Sequence, residues 1–262
     1  MRLMCLSCEV LARPLYLSAA RSPHIVDIQL FRRGLHNNPT DLRDKLQAAV
    51  DEASARTFPN GKPEYDAIAM GYGLCGQATA GLTARQIPVV IPRAHDCITL
   101  FLGSRESYSY QFDNFSGTYW YAQDYVERDD GGGGALALGA GDTGLNNTYE
   151  EYVAKFGKDN ADYLMEVLGG WQQHYKRAAV IDMGIGDISE TMARAETDAS
   201  RRNWVVDRVA GDLVLVKRLV DGDWNDDYLI MQPGEQLRMT YDEKIIGCGG
   251  ARPTARGGNH SR

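Results

Sequence analysis

A chain of 262 residues with 44% hydrophobic content has the apolar material for one large α/β domain or two smaller ones. Its 35 acidic and 28 basic side chains leave a formal charge of −7, which gives no electrostatic basis for nucleic acid or an anionic membrane as a partner. No apolar run approaches the ~20 residues that cross a bilayer, and the opening MRLMCLSCEV meets Glu9 too soon for a signal peptide, so the expected compartment is the cytoplasm.

Met1–Leu6 reads as a buried strand, followed by a short helix over CEVLARPLYLSAA that bends near Pro14. His24–Phe31 alternates and is rich in β-formers, so it is the second strand, and RRGLHNNP after it is a loop. Thr40 is placed to cap a helix over Asp41–Arg56, whose Leu42, Leu46, Ala49 and Val50 share one face. Tyr65–Met70 is the third strand, GYGLCG its loop and Thr79–Arg85 a short helix. Ile87–Ile91 is the fourth strand, then PRAHDC, a helix through Phe101 and a further helix capped by Ser104. Thr118–Tyr121 reads as an edge strand.

The glycine-rich stretch 129–147 reads as a linker or lid between a first α/β lobe, 1–128, and a second, 148–246. Thr148 to Glu151 form a capping box that opens a long helix to about Tyr175. Ala178–Met183, Trp204–Val206 and Tyr228–Met231 are strands, separated by helices over Ile188–Ser200 and Asp212–Val220. The residues 247–262 have no apolar pattern and read as a disordered tail. Strand, polar loop and helix recur throughout, which predicts parallel, doubly wound, Rossmann-like sheet layers in two similar lobes.

Ligands of open parallel sheets bind outside the carboxyl ends of the strands. The strand ends of this chain hold Cys8 and Glu9, His36, Tyr72 and Cys75, then Arg93, His95, Asp96 and Cys97, and finally Asp182 and Asp187. Five cysteines is an odd count, and in a reducing compartment they act as packing residues, nucleophiles or metal ligands. Cys5 falls inside a strand and is expected in the core; Cys248 lies in the tail. Cys8, Cys75 and Cys97, each at a separate strand end where a helix N-terminus favours thiolate, are the candidate metal ligands. Dispersed thiolates suit a [4Fe–4S] cluster with one iron open to substrate, whereas a fourth ligand from His36 or His95 would suit tetrahedral zinc. His36, His95, Glu9 and Asp96 are candidate proton-transfer groups, although Asp96 is equally placed to cap a helix. Arg93, Tyr72 and Asp182 are candidate substrate contacts, with Arg93 either holding an anion or pairing with a carboxylate such as Glu9. GYGLCG and DMGIGD do not match the dinucleotide or P-loop patterns.

At CEVLAR, the LH of RRGLHNNP, YDAIAMGYGLCG and IPRAHDCITLFLGS, the chain resembles an uncharacterised domain-of-unknown-function family of bacteria and archaea, over nearly its whole length to about Pro233. Cys8, Glu9, His36, Cys75, His95, Asp96 and Cys97 stand in those motifs. The resemblance implies a one-carbon context, because members are encoded beside corrinoid-dependent methyltransferases. The architecture is also similar to quinolinate synthase, in which three Rossmann-like units each give one cysteine to a [4Fe–4S] cluster; here two cysteines come from adjacent strands. The expectation is a cytosolic metalloprotein, a Lewis-acid lyase or transferase acting on a small molecule. Two alternatives stand beside it: a non-catalytic accessory protein that handles a corrinoid or metal for a methyltransferase, and a metal-free thiol transferase.

Overall fold

The computed structural model describes residues 1–128 and 175–250, with Lys158 between them. The expected glycine-rich linker, the capping box at 148–151 with its helix, and the tail beyond Gly250 lie outside the described residues. In chain order the elements are β1 (Arg2–Cys8), α1 (Ala12–Arg21), β2 (Ile25–Phe31), α2 (Pro39–Ala55), β3 (Ala67–Gly71), β4 (Val89–Pro92), α3 (Cys97–Leu102), α4 (Arg105–Asn114), β5 (Thr118–Ala122) and α5 (Gln123–Glu127). Then follow β6 (Arg177–Asp182), α6 (Ser189–Arg202), β7 (Val205–Ala210), α7 (Val214–Asp221), β8 (Tyr228–Met231), β9 (Glu235–Met239) and β10 (Ile246–Gly250). Among the described residues no helix is long and apolar enough to cross a membrane.

The principal sheet has the order β2-β1-β3-β4-β8. Its first four strands are parallel, and β8 closes the edge antiparallel to β4. Residues Leu3 to Ser7 of β1 are all buried, as a strand covered on both faces requires. Alternation sends Met4, Leu6, Ile68 and Met70 into a core with Leu42, Leu46 and Val50 of α2. Cys5, Ala69 and Val90 point the other way, into a core with Leu15, Phe101 and Leu215. Leu46 is fully buried, and each such leucine stabilises the fold by ~1.5–3 kcal/mol relative to exposure. A second, three-stranded parallel sheet has the order β5-β6-β7, and β9 and β10 form an antiparallel pair. The two sheets draw on both described parts of the chain: β5, before residue 129, pairs with β6, after residue 174, and β8 extends the sheet begun by β1.

Several local expectations are corrected. Pro14 sits in the first turn of α1, where its missing N–H costs nothing, and the irregularity is a short 3₁₀ turn over Glu9–Leu11 before it. Asn38, not Thr40, caps α2, accepting from the Asp41 N–H with Pro39 in the first turn. Residues Thr79–Arg85 form no helix, because their backbone groups pair with β9: Gly81 N–H donates to Leu237 O, Leu237 N–H to Leu82 O, and Ala84 N–H to Glu235 O. The expected tail begins too early, since 247–250 belong to β10, where the Cys248 thiol donates to Glu235 Oε2 at 3.3 Å.

Candidate functional site

The order of the principal sheet reverses direction at β1, between β2 and β3, and this is where the strand ends leave a crevice. Ser7 sets the spacing. Its buried hydroxyl donates to Gly71 O at 3.1 Å, and a Cβ on Gly71 would lie 2.2 Å from Ser7 Oγ. The loop after β3 is laid against the loop after β4 by Leu74 N–H to Ala94 O, 2.8 Å, and Cys75 N–H to His95 O, 2.9 Å. Gly73 permits this contact, since a Cβ there would meet Ala94 O at 2.7 Å and Asp96 N at 2.9 Å. The chain then turns through three successive positive-φ residues, Cys75 (45°), Gly76 (63°) and Gln77 (70°). For Cys75 and Gln77 that conformation costs about 1–2 kcal/mol each, the kind of strain that gathers at functional sites.

The result is a pocket lined by Cys8, Cys75, Cys97, Tyr72, His36 and Tyr125, with Arg32 and Arg33 also in its wall. Its cavity is about 30 Å³, room for one water-sized group. All five cysteines are free. Among the described residues, no group of three or more His, Cys, Asp or Glu side chains is arranged to hold a single metal ion. Tyr72 is 3% exposed, its ring meets the edge of Phe31 at 6.5 Å, and its hydroxyl has no hydrogen-bond partner.

Burial governs the electrostatics. It pushes the Cys8 thiol up to about 11 and the Cys75 and Cys97 thiols further, the latter two raised also by Asp96 and then by neighbouring sulfurs. The helix-terminus argument for thiolates is therefore corrected: desolvation outweighs the local dipoles, and Asp96 opposes a negative charge on Cys75 and Cys97. Burial likewise holds Tyr72 protonated and lowers the pKa of His36, keeping its imidazole neutral.

The other expected site residues lie outside the lining. Asp96, 2% exposed, caps α3 by accepting from the Ile98 and Thr99 N–H groups, and burial raises its pKa to about 6. His95 faces away from the thiols, with its ring 5.7 Å from that of Tyr108. Glu9 accepts from the Arg33 N–H at 2.9 Å and pairs with Arg128 at 3.7 Å, so it positions the pocket wall. Arg93 neither faces the pocket nor meets Glu9; its guanidinium binds the carbonyls of Lys244, at 3.2 Å, and Ile246. Asp182 pairs with Arg208, whose hydrogen bond lowers its pKa, and accepts from the Gly184 N–H; Asp187 Oδ1 accepts from the N–H and hydroxyl of Ser189 just before α6. Sequence reasoning passed over Arg32, Arg33 and Tyr125. The Arg33 guanidinium lies 4.8 Å from the Tyr125 ring centroid, and its Nε donates to Arg128 O at 2.9 Å. The adjacent arginines after β2 were the available signal; Tyr125 arrives from a distant helix that carries none.

Neither a search of curated proteins nor one of solved structures returned a match. A family model described as "Protein of unknown function (DUF1638)" matches residues 30–220, the span that carries His36, Tyr72, Cys75 and Cys97. The chain thus belongs to the DUF1638 family.

Proposed function

We propose that Cys8, Cys75 and Cys97 bind a [4Fe–4S] cluster with one iron open to a small anionic molecule, and that the protein works in the cytoplasm in one-carbon, corrinoid or sulfur metabolism. One observation carries this reading: three thiols from three separate strand ends line one buried pocket beside a tyrosine hydroxyl with no partner. We read the principal sheet as doubly wound and Rossmann-like, with the pocket at its switch point; the strand order supports this.

The donor set suits a cluster better than a single ion. A tetrahedral zinc with Zn–S bonds of ~2.3 Å needs sulfurs about 3.8 Å apart, and no such group is present among the described residues. A cube gives each thiolate its own iron and takes a wider spacing. It is larger than the 30 Å³ cavity, so loading would require the pocket wall to open. When bound, the cluster would supply a Lewis acid at its open iron. Arg32 and Arg33 take the anion-holding role expected of Arg93, Tyr72 donates a hydrogen bond, and neutral His36 moves a proton.

A second reading, a non-catalytic carrier of metal or corrinoid for a methyltransferase, is favoured by the scarcity of proton-transfer groups: His36 is the only imidazole in the lining among the described residues. Anaerobic reconstitution with iron and sulfide tests both. About four irons and four acid-labile sulfides per chain, lost in Cys75→Ala, support the cluster. Uptake of a corrinoid without turnover supports the carrier. A protein that takes up neither refutes both.

A further inference from the structure

The wall of the thiol pocket that carries Tyr125 is held differently from the others. Cys8 ends β1, which is paired on both sides by β2 and β3. The Cys75 N–H donates to His95 O at 2.9 Å, so that loop is tied by its backbone. Tyr125 comes from α5, and among the described residues no backbone-to-backbone hydrogen bond joins α5 to another element. Its ring, 6% exposed, lines the pocket and packs in the same apolar cluster as Cys8 and Cys97. It therefore shields those two thiols.

Charged side chains hold α5 instead. Asp124, 4% exposed, accepts from the Arg13 N–H at 3.0 Å and from Arg13 Nη1 at 2.7 Å. Arg13 also pairs with Glu127. At the end of α5, Arg128 lies 3.5 Å from Asp124 and 3.7 Å from Glu9, and its carbonyl accepts from Arg33 Nε at 2.9 Å. The start of the helix is anchored elsewhere, by Gln123 Nε2 donating to Asp187 O at 2.9 Å. An outward swing of α5 about that start breaks ion pairs and no sheet hydrogen bond. A buried charge that loses one partner gains by moving into water.

We infer that Asp124 is a positioning residue: with Arg13 it latches α5, and with it Tyr125, over Cys8 and Cys97, and release of the pair opens the pocket. That α5 is the wall that opens for loading rests on the cluster reading. The latch itself does not, and thiol labelling of metal-free protein tests it whether or not a cluster binds. The latch is ionic, so added salt weakens it.

The test is iodoacetamide labelling of the metal-free full-length protein at fixed pH, read cysteine by cysteine by mass spectrometry. Cys5 is completely buried inside β1 and reports global unfolding. Arg13→Gln and Asp124→Asn each remove one side of the latch, and each is expected to label Cys8 and Cys97 about tenfold faster relative to Cys5. The two changes alter the local charge in opposite directions, so a shift in thiol ionisation alone would move the two rates oppositely. The double variant gains little over either single one. In the parent, added salt speeds labelling of the same two cysteines, and in Asp124→Asn it does not. The salt dependence of the parent carries the test if a variant does not fold. Rates that stay unchanged, rise together with that of Cys5, or move oppositely in the two variants overturn the inference.

Discussion

Replacing Tyr72 by Phe removes one oxygen and nothing else. Tyr72 is 3% exposed, its hydroxyl has no partner, and its ring contact with Phe31 at 6.5 Å does not involve that oxygen. A buried hydroxyl without a partner costs roughly 1–3 kcal/mol, so the metal-free Tyr72→Phe protein gains stability of that order. The gain corresponds to a Tm rise of roughly 2–4 °C per kcal/mol for a chain of this size. With iron and sulfide loaded, the sign reverses for ligand: the hydroxyl has found its acceptor, and the variant binds a small anion such as azide more weakly. Urea melts of the metal-free protein and azide titrations of the loaded one measure the two halves. A loss of 1 kcal/mol or more in the metal-free variant would show that the hydroxyl has a structural partner, such as a trapped water. That outcome would falsify the reading of Tyr72 as a ligand contact.

Other substitutions probe the frame around it. Gly73→Ala drives a Cβ against backbone atoms, Ala94 O at 2.7 Å and Asp96 N at 2.9 Å, which cannot move aside. It is expected to cost about 1–3 kcal/mol in denaturant midpoint and to reduce iron uptake, by prising Cys75 from Cys97. Asp96, with its pKa raised to about 6, contributes stability below pH ~4 that is lost as pH rises through 6, of order 3 kcal/mol. Asp96→Asn keeps the cap acceptor and cannot ionise, so it is more stable than the parent at pH 7 and equal to it near pH 4; parallel urea curves at the two values check this. Cys8, held at about 11, should react with iodoacetamide at pH 8 roughly 200-fold more slowly than an ordinary thiol. Fast labelling there would instead revive the thiol-transferase reading.

The strands and the placement of the three cysteines were legible because both follow from short-range pattern. Apolar runs such as Ala67–Met70 and Val89–Ile91 declare buried parallel strands, and in such sheets whatever follows the strands shares one rim. What failed depended on pairing across long separations. Thr79–Arg85 carries helix-compatible residues, yet its backbone hydrogen bonds go to β9, more than 150 residues away. The strand Ile246–Gly250 is glycine-rich and has no β signal of its own; its partner Glu235–Met239 supplies the pairing. Arg93 stands beside the rim in sequence but is drawn to the carbonyls of Lys244 and Ile246, which no local pattern announces.

The same pocket explains why location alone does not make these cysteines reactive. At a solvent-facing rim, three helix-proximal thiols would ionise readily and act as nucleophiles. Here Tyr72, Leu35 and Tyr125 help to bury the thiols, and Asp96 followed by neighbouring sulfurs disfavours a charge on Cys75 and Cys97. Each of these favours the neutral thiol, and a bound cluster of the kind proposed would oppose all of them at once, since a coordinating thiol is deprotonated outright. If the proposed cluster binds, its uptake is expected to release protons, up to one for each ligating thiol, with an apparent affinity that rises with pH. A nucleophilic cysteine would show one ionisation and no metal dependence. On the proposed cluster reading, the burial that disfavours a free thiolate would favour a metal-bound one.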